Sequence, residues 1–385
     1  MAERRSPMGV KRMDDTSPAA TQPEIIKAVA VTAVMMQLIL SVLLKQFPDV
    51  SHRIEIGMLY NLAKFSAPAF IFAILYDVAQ LRDVKYGHYV WHKAKEIIGP
   101  YLFWTTVYIL TVNAGGYEQV GDVVQAFLLG TAAPHLWYTV MMFQYHLLIP
   151  LVTALVLLMI RNRKKAAVSW VVSIIVYAIL ILLYDRYVLL DLLHPDLVYT
   201  DRIFAMYGLF ALLGMGTSIY KEACLVWLDK MKWALLPIGV LLFIWVNREL
   251  FAYGFEDMNL LKSSYLKPSM VLFNMALILL LYAGATGLIR MNVRFLPTFR
   301  WIAKYAFRAY LASYFALNLT IWMMGSYVKE MPLGISIVFL LICTAILAFT
   351  MVYYIEKLCK AVMRLLRARN HQGHQPAPAH GNKRP

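Results

Sequence analysis

The chain has 385 residues, of which 61% are hydrophobic and 15% charged, with a formal net charge of +15. A mean hydropathy of +0.60 excludes a sizeable soluble domain. Three cysteines are too few for a disulfide framework.

Ten apolar runs fill the sequence: 25–44, 57–76, 97–114, 134–160, 166–184, 203–219, 233–246, 268–289, 305–324 and 334–355. Most reach the ~17–25 residues that an α-helix needs to cross hydrocarbon. A backbone in lipid must satisfy its own hydrogen bonds, so these runs are expected to be helices. With the N-terminus placed in the cytoplasm, 28 of the 37 Lys and Arg fall in the inside segments and 8 outside. The expected fold class is therefore all-α: a polytopic integral membrane protein of ten transmembrane helices with both termini cytoplasmic. The same placement explains the basic charge through anionic headgroups and membrane lipids, and no nucleic-acid partner is expected.

In chain order, residues 1–24 read as a disordered cytoplasmic tail. The first run follows without a small-residue cleavage site, as a retained signal-anchor would. It carries Lys27 at its start and Gln37 at mid-membrane; a snorkelling lysine and a helix–helix hydrogen bond are their plainer readings. The second run carries Asn61, Lys64 and Ser66. Residues 82–96 mix Tyr, Trp and charge like an interfacial helix. Residues 117–133 are too short to span and read as a short helix against the outer face, ending just before Pro134.

The fourth run contains the sharpest string, APHLWYTVMMFQYHLLIP at 133–150. Eleven residues separate His135 from His146. That interval returns to the same helical face within ~20° and covers ~16 Å, so the two imidazoles form one stripe. Polar groups at depth face a bundle interior, and the functional reading is a general base aimed at an extracytoplasmic hydroxyl. The plainer reading makes His135 an interfacial cap beside Trp137 and Tyr138 in an aromatic belt, and His146 a hydrogen-bonded packing residue.

Further on, Asp185, Arg186, Asp191, His194, Asp196, Asp201 and Arg202 crowd one outer loop, a solvated stretch or the wall of a polar substrate site. The seventh run holds only 14 residues and contains Pro237, yet dropping it places the arginines at 290–300 outside. In the ninth, Lys304 and Arg308 sit at the inner end, and Arg308 either snorkels or lines a cytoplasm-facing vestibule for a phosphorylated cofactor. The tail from 356 to 385 is basic and starts as an amphipathic helix. Its His371, His374 and His380 read as solvated. No metal site, phosphate-binding glycine loop or nucleophile elbow is expected.

Four strings carry a resemblance to the acyltransferase 3 family of integral membrane acyltransferases. They are KFSAPAFIFAILYD (64–77), KEIIGPYLFW (95–104), HLWYTVMMFQYHLLIPL (135–151) and IAKYAFRAYLASYF (302–315), with RIFAMYGLFALLGMG (202–216) a looser fit. Their order and spacing extend over 24–355, which the resemblance makes one transmembrane domain. It implies a cell-membrane enzyme moving an acyl group, most simply acetyl, from acyl-CoA to a surface or exported polysaccharide, alongside other polysaccharide-synthesis membrane proteins. Acyl-CoA is then a donor substrate and no cofactor is bound. On this resemblance His135, His146 and Tyr138 are the catalytic candidates. Lys27, Lys304 and Arg308 are candidates for the donor, and Trp137, Tyr145 and Arg202 for the acceptor. The chain also departs from the pattern. The family's first span carries an Arg and, eleven residues on, a His; Lys27 and Leu38 stand there. Ile74-Leu75 replace a Ser-Gly pair, and Ser313 replaces a His. The departures keep an alternative open: a catalytically decayed member serving polysaccharide export or presentation.

Overall fold

The computed structural model describes residues 20–46, 49–81, 85–112, 116–117, 119–161, 163–189, 195–252, 254 and 263–372. The described residues are mostly helical, with short turns between helices and no strand. Thirteen α-helices follow in order: α1 (Gln22–Gln46), α2 (Val50–Ala63), α3 (Ser66–Val78), α4 (Tyr86–Thr111), α5 (Val120–Leu129), α6 (Trp137–Leu147), α7 (Ile149–Arg161), α8 (Arg163–Tyr184), α9 (Gly208–Ile219), α10 (Lys221–Leu250), α11 (Pro268–Arg290), α12 (Leu296–Glu330) and α13 (Leu333–Gln372). The expected N-terminal tail lies mostly outside the described residues, as do Asp191, His194, His374 and His380.

The apolar runs became helices, but ten independent spans did not emerge. Among the described residues six helices are long and apolar enough to cross a membrane, or seven if one bent pair counts as a span. The differences have local causes. The run 57–76 still lies in one crossing-length span, Ser51–Val78, but that span is interrupted at Lys64 between α2 and α3, where Pro68 lacks the N–H that would bond the Lys64 carbonyl four residues back. The run 134–160 became α6 and α7, bent by 59°. Here Pro150 removes the donor for the His146 carbonyl. The run 203–219 begins with a 3₁₀ turn, Phe204–Tyr207, leaving only twelve residues in α9. The third and ninth runs sit in long helices, α4 and α12, whose polar and charged residues leave no crossing-length stretch as apolar as those of the six.

Other segments grew. The doubtful seventh run lies within the 30-residue α10, which is long and apolar enough to cross despite Pro237. The expected interfacial segment 82–96 is, from Tyr86 onward, the first part of α4 and not a separate helix. The basic stretch after Glu356 continues α13 without interruption to Gln372.

Helix α1 stands at the centre, against α2, α3, α11, α12 and α13. Small residues allow this: Ala28 and Ala30 are fully buried, and close backbone approach is how helices pack in lipid. Its apolar window is 67% buried, whereas that of α8 is 17% buried and lies at the periphery. Helix α9 crosses α3 at backbone contact, because a Cβ on Gly214 would lie 2.2 Å from the Phe72 carbonyl oxygen.

Candidate functional site

Two polar layers cross the bundle. The first is a charged layer near the start of α1. Lys27 pairs with Asp77 at 2.5 Å. Arg300 approaches Glu24 at 3.8 Å, Arg290 pairs with Asp229 at 2.8 Å, and Arg308 and Lys360 both pair with Glu356. Lys304 rests over the Tyr305 ring. The three cationic donor candidates therefore lie in one region, but Lys27 and Arg308 already hold carboxylates.

His146 belongs to this layer. The Tyr89 hydroxyl meets its Nδ1 at 2.8 Å, and Lys27 and Lys93 lie within electrostatic reach. The geometry is that of a hydrogen-bonded, packed histidine.

The second layer is aromatic and lies deeper. His135 does not sit on a helix, contrary to the stripe expected from its spacing. It lies in the turn before α6, which begins at Trp137. The cause is upstream. Helix α5 ends at Gly130 in the left-handed conformation (φ 65°), and a Cβ there would strike the Leu136 and Trp137 backbone at 2.8 Å. Glycine lets the chain double back and seat His135 inside the bundle.

There His135 is 5% exposed and ringed by Tyr310, Tyr108 and Tyr314, with centroids at 4.8, 5.8 and 6.1 Å. The Tyr310 hydroxyl donates to its backbone carbonyl. Neither ring nitrogen has a hydrogen-bond partner among the described residues. The Tyr310 and Leu311 carbonyls lie close enough to act on the ring but form no well-aligned hydrogen bond with it; they also accept from Ser313 and Tyr108, and each keeps a second lone pair. The Tyr138 hydroxyl and Thr139 Oγ1 are also buried without a well-formed hydrogen bond among the described residues, though Thr139 lies within reach of the Tyr310 hydroxyl, and Tyr138 packs 5.7 Å from Tyr310. Buried polar atoms are nearly always satisfied in native proteins. A cluster of orphans around one imidazole is a place where a polar ligand would complete the bonding.

The remaining acceptor candidates divide. Trp137 joins the aromatic layer, stacked on Tyr207 at 5.9 Å and meeting Tyr265 at 5.6 Å. Tyr145 instead donates to the Phe204 carbonyl at 2.6 Å, and Arg202 donates to the Leu129 carbonyl and faces Asp201 at 3.5 Å. Gln144, which the sequence did not single out, donates to the Arg202 carbonyl and accepts from the Phe204 N–H. Together these bonds tie residues 202–204 to α6 and to the end of α5. Asp201, half-buried there, has its pKa pushed up to about 6 by desolvation, against the pull of Arg202 and Lys64.

Gln37 makes the helix–helix bonds expected of it. Its Nε2 donates to the Ala63 carbonyl and Ser66 Oγ, both at 2.7 Å, and its Oε1 accepts from the Tyr265 hydroxyl at 2.7 Å. Leu38 beside it is packed into the core. The sequence missed Tyr108, Tyr265 and Tyr314. Tyr108 and Tyr314 lie within α4 and α12 and Tyr265 in the turn before α11, and their only signal was the residue type, which also fills interfacial belts.

A helical bundle with crossing-length apolar helices and buried polar centres has the composition of a membrane protein. The profile of a family described as an acyltransferase domain matches residues 21–355, nearly the whole chain, and the chain belongs to that acyltransferase 3 family. No curated protein and no solved structure matches it.

Proposed function

We propose that the chain transfers an acyl group, most simply acetyl, from acyl-CoA to a hydroxyl of a surface or exported glycan. Membership of the family supports a membrane acyltransferase. The observation that carries the finer reading is the unpartnered, tyrosine-ringed imidazole of His135. Neutral imidazole offers a lone pair to an incoming hydroxyl. As that oxygen attacks the thioester carbonyl, its proton passes to the ring; the C–S bond then breaks and the imidazolium returns the proton to the departing sulfur, so CoA leaves as thiol. Tyr138 and Thr139, with unfilled bonding capacity, are placed to hold the acceptor or the developing oxyanion.

The donor enters from the charged layer, where Lys27 and Lys304 offer positive charge to its phosphates. Ten residues of α1 separate Lys27 from Gln37 in the aromatic layer, or ~15 Å, a distance an extended thioester arm has to bridge. Arg308 contributes less directly. It lies two residues, ~200° of helical turn, from Tyr310 and faces Glu356 instead.

The non-catalytic alternative is favoured by two details. Leu38 closes the position where the family pattern has a histidine, and Asp77 already neutralises Lys27. The deciding experiment is acetyl transfer from labelled acetyl-CoA in purified membranes, wild type against His135→Ala. Transfer in the wild type that the variant lacks supports catalysis at His135. No transfer in either, with both proteins inserted, favours export or presentation.

A further inference from the structure

Lys64 is, among the described residues, the one lysine buried inside the bundle, 5% exposed at the joint of α2 and α3. No carboxylate of the described residues lies within 4.0 Å of its ammonium. Its neighbours are ring faces: Tyr265 at 4.1 Å from nitrogen to centroid, and Tyr60 at 4.8 Å. Cation–π attraction offsets only part of what it costs to bury an ammonium.

The polar groups around it are committed elsewhere. Gln37 Oε1 accepts from Tyr265, while Ser66 Oγ and the Ala63 carbonyl accept from Gln37. That neutral network closes on itself and leaves the ammonium outside. Asp201 acts on Lys64 from beyond ion-pair distance, and its carboxylate faces Arg202 at 3.5 Å. An intramembrane charge without a partner marks a ligand pathway more often than a structural feature.

We propose that Lys64 anchors the glycan acceptor by a carboxylate, so that the acceptor is an acidic sugar. One ammonium matches one negative charge. The Tyr265 ring over which Lys64 sits also meets Trp137, and aromatic faces of this kind suit the C–H face of a sugar ring. From Trp137 the contacts run through Tyr138 at 6.2 Å and Tyr310 to His135. A carboxylate held at Lys64 thus directs the far side of the sugar toward the imidazole. Carboxylate and hydroxyl become two points of recognition along one aromatic wall. The inference rests on the transfer reading for the word acceptor, but the binding site stands apart from it.

The test uses the full chain purified in detergent and three probes: methyl glucuronoside, methyl glucoside and glucose 6-phosphate. Thermal unfolding with each reports binding without turnover, and labelled acetyl-CoA reports transfer to each. The glucuronoside is expected to raise the unfolding temperature of the wild type more than the other two. Lys64→Met, which removes the buried charge but keeps an apolar stem, is expected to weaken that binding at least tenfold. Lys64→Arg is expected to retain part of it, and decides the matter together with the three-probe comparison if the methionine variant does not fold. Equal shifts by glucuronoside and glucoside, stronger binding of the phosphate, or wild-type affinity in Lys64→Met would overturn the proposal. Lys64-dependent glucuronoside binding without any transfer keeps the site and sinks the transfer reading. Equal transfer to glucoside and glucuronoside does the reverse.

Discussion

The charged layer and the aromatic layer answer the same problem in opposite ways. In the first, each of Lys27, Arg290, Arg300 and Arg308 meets a carboxylate. In the second, His135, Tyr138 and Thr139 have buried atoms with no well-formed hydrogen bond among the described residues, and Lys64 has only ring faces. Charges near water find counter-ions cheaply, and such pairs are worth ~1 kcal/mol or less each. Polar atoms in the interior lose more when left unsatisfied. Their persistence there, around rings held by backbone hydrogen bonds, separates a layer that holds the bundle together from one shaped to receive something.

The sharpest way to break this contrast is to exchange the two histidines' fates. His135→Ala is expected to lower acyl transfer by ~10²–10⁴, the usual cost of losing a general base, with membrane insertion unchanged. His146→Ala, which removes a bond to Tyr89, is expected to cost stability and leave most of the activity. A larger loss of activity in His146→Ala than in His135→Ala, measured with labelled acetyl-CoA, would invert the assignment.

A second test separates packing from either polar layer. Gly214→Ala drives a methyl into the Phe72 carbonyl, where backbone rather than a flexible side chain must yield. A destabilisation of about 1–3 kcal/mol is expected, read as a lower unfolding temperature in detergent. No change would mean that α9 and α3 sit further apart.

Within the charged layer, Lys27→Met is expected to raise KM for acyl-CoA by roughly threefold to tenfold with kcat little changed, since a partly exposed pair contributes modestly. Asp77→Asn frees the lysine and should lower that KM. A loss of kcat in either variant would move Lys27 from donor binding to chemistry.

The smallest effect concerns pH. The Asp201 carboxyl is raised from 3.8 to about 6 in the fold. The proton is therefore held more tightly folded than unfolded, so this group's stabilising contribution is full below pH ~4 and is lost as pH rises through 6. Replacing it by Asn removes that dependence. The unfolding temperature of wild type relative to Asp201→Asn should fall by about 2–4 °C between pH 4 and pH 7. A constant difference would show that Asp201 is not desolvated.

Helical class and family were legible in the sequence, because hydrophobic runs and an ordered set of strings need no neighbours to be read. Placing His135 at the head of the fourth run, and Lys64 and Gln37 within membrane-depth segments, needed only counting. What counting could not reach were the places where proline and glycine act at a distance along the chain. Pro68 interrupted the helix of one span, Pro150 bent another run by 59°, and Gly130 turned His135 off the helix that its spacing with His146 implied. Nor could it reach the partners. Lys27 and Asp77 lie 50 residues apart, and His135 and Tyr310 lie 175 apart. Whether a polar residue in an apolar run is satisfied depends on which helix packs beside it. The sequence of that run therefore shows that a polar group is present, and only the assembled bundle decides whether it is bonded or left open.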